Sequence, residues 1–270
     1  MHTKHKPRIR RGVSSQGIRL LSSLSANGKE IFNMAEAAAA SGFKSGKLRK
    51  LLHDLHKSKW VERIERGKYI IIPIEAGPKG EYGMHPFLLA GKLISPYYIG
   101  FFTALNHYGI SEQPNETLFI ASTKRRRPMH FQGQEYRFVS VPKKRFFGIT
   151  EEWVKNTKIR ISDKEKTLID CLFLPKYSKG MTEVVKAFRE KLDFDKLYDY
   201  ALKMENPAVV KRLGFLLDGL KIETPIKDKL LKRVGGGYCL LDTGGPKGGR
   251  KDKKWKIIEN IPLKELKLEL

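Results

Sequence analysis

The sequence predicts an α+β protein built from two parts. The chain has 270 residues, enough for two domains of ordinary size. Helix-like apolar periodicities occur together with short strand-like runs. A stretch rich in Pro and Gly, residues 76–84, follows a strongly basic N-terminal part. We therefore predict a basic arm at residues 1–12, a first domain at 13–75, a linker at 76–84 and a second, mixed α/β domain at 85–270.

Charge is concentrated near the N-terminus. The whole chain carries a net charge of +24, and in residues 1–73 Lys and Arg outnumber Asp and Glu by 16 to 5. Such a surplus favours a polyanionic partner, namely nucleic acid, an acidic protein or an anionic membrane. The first domain is therefore the expected anion-binding region. The alternative is a generally basic protein whose N-terminal end is slightly richer in cations.

Several classes of protein are disfavoured by the composition. The two cysteines, Cys171 and Cys239, support neither a disulfide framework nor a Cys-rich zinc site. No apolar segment follows the basic N-terminus as in a secretory signal, and no apolar run approaches the ~18 residues of a membrane span. The run Gly244–Gly249 lacks the Gly-Lys-Ser/Thr of a phosphate-binding loop and is expected to be a hairpin turn. We expect a cytoplasmic protein without a cofactor and without a membrane partner.

The first domain begins with two helices and a short strand. From Ser14 to about Ala26, Ile18, Leu21 and Leu24 form a helical apolar stripe, with Leu20 beside them. Ile31-Phe32 is a candidate strand. Asn33 has the chemistry of an N-cap, and Glu36 completes a capping box for a helix that Gly42 ends.

The third helix and the hairpin after it predict the fold of this domain. The helix runs from Ser45, a candidate N-cap, to about Ser58. Leu48, Leu51, Leu52 and Leu55 form its apolar stripe. Two strands, Trp60–Ile64 and Tyr69–Pro73, flank the turn from Glu65 to Lys68. The order helix, helix, basic helix, hairpin predicts a winged helix-turn-helix, in which the third helix enters the major groove and the hairpin touches phosphates. Protein docking is the alternative use of such a fold.

The candidate DNA-binding residues are the polar and basic side chains of this helix, the hairpin and the arm. They are Lys44, Ser45, Lys47, Arg49, Lys50 and His53 on the helix, Arg63, Arg66 and Lys68 on the hairpin, and Lys4, Lys6, Arg8, Arg10 and Arg11 in the arm. We expect the arm to be mobile and to follow phosphates or the minor groove. A disordered tail without a defined role is the alternative.

The second domain combines strands and helices. Helices are predicted at about His85–Leu93, Gly100–His107, Thr182–Lys191 and Asp193–Lys203, and strands at Thr117–Ala121, Glu135–Val141 and Lys158–Ile161. Ser162 and Glu165 form a second candidate capping box, which opens a helix that ends at Pro175. Asn206-Pro207 and Thr224-Pro225 each pair an N-cap with Pro at the first helical position. Tyr238–Asp242 and Trp255–Ile258 are predicted to form a hairpin.

Two further basic clusters lie in this domain and form a candidate secondary patch. They are Lys124-Arg125-Arg126-Arg127 and Lys143-Lys144-Arg145. They indicate an additional contact with nucleic acid or an acidic protein, or simply solvated loop charge. Phe146-Phe147 could stack on bases, although core packing is favoured.

An enzyme site is hard to assemble from the sequence. Asp163, Glu165 and Asp170 are close enough for a metal-dependent nuclease, but the same acids suit a helix N-terminus. His53 and His56 are three residues apart without an evident third zinc ligand. We therefore expect a protein that is not an enzyme and that holds no metal.

From Tyr97 onward, the sequence resembles the AbiEi antitoxin family. The run Tyr97–Leu105, with His107-Tyr108-Gly109 and Gln113-Pro114 after it, is similar to the core motif of that family. Glu165–Cys171 and Arg212–Leu217 resemble a second and a third motif, and the Trp255 hairpin fits the C-terminal end. The resemblance spans nearly the whole chain, including the first domain.

The resemblance implies a two-part protein of a type IV toxin–antitoxin, abortive-infection system. Its winged helix would repress its own operon at inverted repeats in double-stranded DNA. Its C-terminal part would counter a nucleotidyltransferase-like toxin without a tight stoichiometric complex. The strongly basic arm departs from the family pattern, so a stand-alone regulator remains the alternative.

Overall fold

The computed structural model describes residues 9–267 and divides between Met84 and His85 into two compact units. The described residues combine helices with three separate sheets, so the expectation of an α+β protein is confirmed. Each unit buries a hydrophobic core of its own. None of the helices in residues 9–267 has the length and apolar character needed to cross a membrane.

Within residues 9–84, the first unit contains three α-helices, three strands and a 3₁₀ turn at Ile74–Ala76. In chain order the helices and strands are α1 (Ser15–Ala26), β1 (Ile31–Asn33), α2 (Met34–Ser41), α3 (Ser45–Lys57), β2 (Val61–Glu65) and β3 (Lys68–Ile71). The strands form one antiparallel sheet in the order β1-β3-β2, with Phe32 opposite Tyr69 and Glu62 opposite Ile70. A hairpin of β2 and β3 therefore follows α3, and β1 closes the sheet on its other side.

Local capping explains where α1 and α2 begin. The Ser14 hydroxyl accepts from the Gly17 amide at the start of α1. Asn33 and Glu36 form the expected capping box at the start of α2, where each side chain accepts from the other residue's backbone amide. The predicted stripe of α1 is wrong at one position. Ile18 is 51% exposed and Leu20 is buried in its place, because the inward face is centred between Leu20 and Leu24.

The second unit holds the remaining elements. In chain order they are α4 (Pro86–Leu93), β4 (Tyr97–Ile99), α5 (Phe101–His107), β5 (Thr117–Ser122), β6 (Met129–Phe131), β7 (Gln134–Ser140), β8 (Ile149–Val154), β9 (Thr157–Ser162), α6 (Lys164–Phe173), α7 (Met181–Val185), α8 (Phe194–Lys203), α9 (Pro207–Gly219), α10 (Ile226–Leu231), β10 (Cys239–Leu240), β11 (Arg250–Asp252), β12 (Ile257–Glu259) and α11 (Leu263–Lys267). The helix predicted at Thr182–Lys191 is shorter, because a 3₁₀ turn continues α7 over Lys186–Arg189.

A six-stranded mixed sheet organises this unit, in the order β6-β7-β5-β4-β9-β8. The pairs β5–β7 and β4–β9 are parallel, and the other neighbours are antiparallel. Helix α6 is buried along most of its length. The predicted Ser162–Glu165 capping box is wrong: Asp163 is the N-cap and accepts from the Lys166 amide. Ser162 instead bonds to Thr167 within the core.

A small three-stranded sheet, in the order β10-β12-β11, lies near the C-terminus. The predicted hairpin of Tyr238–Asp242 with Trp255–Ile258 is wrong, because β10 and β12 are parallel and the hairpin is formed by β11 and β12. Trp255 anchors the sheet on α9: its ring packs where a side chain at Gly214 would stand, and its indole donates to Asp218. The absence of a side chain at Gly214 therefore makes this packing possible.

Candidate nucleic-acid interface

Helix α3 separates its leucines from its cations. Leu48, Leu51, Leu52 and Leu55 are all buried in the core of the first unit, at 8% exposure or less. The candidate residues on the same helix and just before it are all exposed, namely Lys44, Ser45, Lys47, Arg49, Lys50 and His53. The helix therefore packs through its predicted stripe and turns its basic side chains to solvent.

The N-terminal end of α3 is unusually positive. Lys44, and not Ser45 as predicted, is the N-cap, and no side chain caps the helix. The first turn contains no acidic residue, although a helix N-terminus carries partial positive charge and favours anions. Lys44 and Lys47 add further positive charge at this end. Backbone amides at a helix start, together with these lysines, can bind a phosphate group.

Three lysines at the start of α3 lack a carboxylate partner in the described part of the chain. Within residues 9–267, no Asp or Glu lies at ion-pair distance from Lys44, Lys47 or Lys50. The Lys47 Nζ instead lies over the Phe43 ring, 4.1 Å from its centroid. The role of Phe43 was not recognised from the sequence; its position four residues before Lys47 is the only signal that could have revealed it.

Two basic side chains of the β2–β3 hairpin, unlike the lysines at the start of α3, contact other groups of the hairpin. Its turn is made by exposed Arg66 and by Gly67, whose φ of +76° suits a residue without a side chain. Lys68 lies 3.9 Å from the Glu65 carboxylate, and Arg63 donates to the Glu65 carbonyl. The Gly67 carbonyl accepts from the Met34 amide, which fixes the turn beside the start of α2. Arg63 and Arg66 are both exposed, and Arg63 is tied to the Glu65 carbonyl.

The arm is partly incorporated into the first unit. Lys4, Lys6 and Arg8 lie outside the described residues. Arg10 contradicts the expectation of a mobile arm: its guanidinium donates to the carbonyls of Lys59, Ile72 and Pro73 and stacks on Trp60, with 4.0 Å between Cζ and the ring centroid. Burial lowers the pKa of Arg10.

Arg11 differs from its neighbour Arg10. Its side chain is exposed, while its carbonyl accepts from the Trp60 indole. The backbone of the chain is therefore held at this point and the guanidinium is left in solvent. Of the two described arginines of the arm, Arg11 is the one available for an external contact.

The two clusters of the secondary patch are each divided between solvent and protein. In the first, Arg126 donates to the Leu93 carbonyl and stacks on Phe138, while Lys124, Arg125 and Arg127 are exposed. In the second, Arg145 donates to the Met204 carbonyl over 2.7 Å and stacks on Phe173. Lys144 pairs with Glu205. The structure therefore uses part of this charge to hold the second unit together.

The family match lies within the first unit. Residues 19–72 match the AbiEi antitoxin family of transcriptional regulators. The resemblance to the AbiEi family is confirmed for this segment, which contains α3 and the hairpin. The AbiEi-like motifs from Tyr97 onward lie outside it.

A solved structure resembles the chain over almost its whole length. It is the crystal structure of the RV2827C protein from Mycobacterium tuberculosis, which has a TM-score of 0.65, covers 95% of this chain and 94% of that chain, and is 15% identical. At this identity the likeness concerns the fold alone. No curated protein sequence matches the chain.

The three carboxylates considered for a nuclease do not converge. Asp170 is buried and binds the Tyr98 hydroxyl and the Lys166 ammonium, and burial raises the pKa of Asp170. Asp163 and Glu165 both face Lys196, at 3.2 and 2.9 Å. Within residues 9–267, no group of three His, Cys, Asp or Glu side chains is placed to hold a metal ion.

The histidines considered for zinc also diverge. Both residues are exposed on α3, and the His56 ring contacts the Val61 carbonyl at 3.2 Å. A contact between an imidazole ring and a backbone carbonyl fixes the orientation of the ring, which is a structural role. His53 remains with the exposed residues of α3.

Proposed function

We propose that the chain is a DNA-binding transcriptional autorepressor and the antitoxin of a type IV toxin–antitoxin system. In this proposal the first unit is a winged helix-turn-helix. Its α3 enters the major groove with Lys44, Ser45, Lys47, Arg49, Lys50 and His53. Arg66, with Arg63 and Lys68, holds phosphates beside the groove, and Arg11 extends the contact. The proposal requires a cytoplasmic protein that acts by binding and not by catalysis.

One observation carries this proposal: α3 buries its leucines and leaves its lysines in solvent without carboxylate partners in residues 9–267. Unpaired cations clustered at one helix end repel one another, which lowers the stability of the fold without a compensating contact. A duplex supplies the missing negative charge, since it carries one phosphate per about 1.7 Å of helix axis. The match of residues 19–72 to transcriptional regulators supports the same conclusion.

The test is the affinity for the DNA upstream of the gene, measured by fluorescence anisotropy at two salt concentrations. We expect Lys47→Ala with Lys50→Ala to weaken binding by about 10-fold or more. The slope of log K against log salt should fall by about 0.9 for each phosphate that is no longer neutralised. The matched control, Lys191→Ala with Lys264→Ala, removes two exposed lysines of the second unit. Equal affinities of the two double variants would show that α3 does not read DNA.

The second unit offers a candidate docking surface for the toxin. Trp153 is 67% exposed on β8, which is an edge strand of the six-stranded sheet. An exposed edge strand with a large aromatic side chain is typical of protein contacts. Direct docking of a nucleotidyltransferase-like toxin is therefore the second candidate function. Co-purification with the neighbouring gene product in moderate salt, abolished by Trp153→Ser, would support it.

A further inference from the structure

The segment from α10 to β12 concentrates positive charge on the second unit. Residues 232–256 contain eight Lys or Arg and two Asp. Both carboxylates accept from backbone amides: Asp242 from Met181 and Gly244, and Asp252 from Trp255. Of the eight cations, Arg250 pairs with Glu259 and Lys254 with Asp218. The other six have no carboxylate at ion-pair distance within residues 9–267, namely Lys232, Arg233, Lys247, Lys251, Lys253 and Lys256.

An exposed aromatic ring lies among these cations. Tyr238 is 38% exposed, and the ammonium groups of Lys251 and Lys256 each lie 5.4 Å from its ring centroid. Both distances are within the range of a cation–π contact. The three residues come from separate elements, since Tyr238 precedes β10, Lys251 belongs to β11 and Lys256 precedes β12.

The position of Tyr238 is fixed by two buried cations of α9. The Lys211 ammonium donates to the carbonyls of Gly236 and Gly237, at 2.9 and 2.8 Å. Arg212 donates to the Leu240 carbonyl on the other side of the tyrosine. Both side chains are 3% exposed. The backbone on each side of Tyr238 is therefore held from inside the protein while its ring faces out.

The position of Lys256 is fixed in a comparable way. Its neighbour Trp255 is 1% exposed and is anchored on α9 at Gly214 and Asp218. Lys256 itself has a φ of +54°, in the left-handed region that residues with a side chain seldom adopt. Gly or Asn would suit this backbone better. The sequence instead places a lysine there, beside the tyrosine ring.

We propose that Tyr238, with Lys251 and Lys256, is a stacking platform for single-stranded nucleic acid. A base stacks on the ring in place of the two ammonium groups, which move aside and neutralise the phosphates next to that base. The aromatic ring favours this partner over an acidic peptide, because a carboxylate gains nothing from the electron-rich face of a tyrosine. A duplex does not fit, because its bases are stacked on one another and do not offer a face.

The experiment uses the full chain carrying Lys47→Ala and Lys50→Ala, so that the contribution of α3 is the same in every arm. The probe is a labelled oligouridine of about twelve nucleotides, with the matching oligothymidine and a DNA duplex for comparison. We expect Tyr238→Ala to weaken binding of the single strands about tenfold and Tyr238→Phe to leave it unchanged. Lys251→Ala should lower the salt slope for the single strand by about 0.7. Binding of the duplex should not change.

Several outcomes would overturn the platform. They are an unchanged affinity of Tyr238→Ala, an equal loss for the duplex, or polyglutamate competing as well as oligouridine of the same charge. Lys256→Asn gives a second, independent variant, because it removes the charge and keeps a residue that accepts the left-handed backbone. The two tests are independent. A negative result here does not contradict duplex binding by α3, and a negative result in the α3 test does not contradict base stacking on Tyr238.

Discussion

In the first unit, the lysines of α3 stand in solvent on a helix whose leucines form the core. In the second unit, Lys166 is fully buried beside Asp170, and Arg212 donates to the carbonyls of Leu172 and Leu240. The same residue types therefore occur in two different environments in one chain. Cations that hold a fold have partners inside it, whereas the lysines of α3, which we propose bind DNA, have no carboxylate partner among residues 9–267. Net charge alone does not distinguish them.

The largest effect is expected from the buried pair of the second unit. Lys166→Met leaves the Asp170 carboxylate buried with the Tyr98 hydroxyl as its remaining partner, and should lower the free energy of unfolding of this unit by about 3–5 kcal/mol. The double variant Lys166→Met with Asp170→Leu should recover much of that loss. Urea denaturation followed by tryptophan fluorescence measures both. A loss below about 1 kcal/mol for Lys166→Met would show that this buried lysine does not stabilise the fold as expected.

Arg10 tests the comparison within the first unit. Arg10→Ala removes three hydrogen bonds to carbonyls and the stacking on Trp60, and should lower the free energy of unfolding by about 2–3 kcal/mol. Arg11→Ala should change it by less than about 0.5 kcal/mol, because its guanidinium is exposed. For affinity to duplex DNA, we expect the opposite order among folded variants. Equal stabilities of the two variants would show that the contacts of Arg10 do not stabilise the first unit.

The local structure of the first unit could be predicted well because its signals are short-range. The capping box of Asn33 and Glu36 spans four residues, and the leucine stripe of α3 lies within one helix. The exposed face of α3 follows directly from that stripe. The exposure of Ile18 was missed because Ile18 and Leu20 are equally apolar, and only packing decides which one faces inward.

The second unit could be predicted less well because its contacts are long-range. The parallel pairing of β10 with β12 depends on how α9 holds both strands, which no spacing in the sequence reveals. The same holds for Arg145, whose carbonyl partner is Met204, 59 residues away. The sequence indicated a basic surface patch at this cluster, but Arg145 contacts the protein itself and is only partly exposed.

Arg145 and Lys143 form a matched pair within one basic cluster. Arg145→Ala removes a hydrogen bond to Met204 and the contact with Phe173, and should lower the free energy of unfolding by about 1–2 kcal/mol. Lys143→Ala removes the same formal charge from an exposed position and should stay within about 0.5 kcal/mol of the wild type. Thermal unfolding of the two variants side by side is sufficient. A larger loss of stability for Lys143→Ala than for Arg145→Ala would show that burial does not decide which cation of the cluster stabilises the fold.

The smallest effect concerns Lys29, a cation of the first unit that does have a carboxylate partner. It donates to Glu36 over 2.8 Å, and with the Asn33 amide it lowers the pKa of Glu36. A depressed carboxylate pKa stabilises the fold at pH values above the unfolded pKa, and this contribution is lost as pH falls through the folded pKa. Both groups are largely in solvent, so Glu36→Gln should cost only about 0.5 kcal/mol at neutral pH.

The pH dependence separates the charge of Glu36 from its capping geometry. Glutamine can still accept from the Asn33 amide, so the variant keeps the capping box and loses only the charge. The difference in unfolding free energy between wild type and Glu36→Gln should therefore shrink towards zero as pH falls to about 3. The same measurement on Lys50→Ala should show no such trend, because Lys50 has no carboxylate partner within residues 9–267. A pH-dependent difference for Lys50→Ala would reveal a partner on α3 and weaken the contrast between its lysines and those that serve the fold.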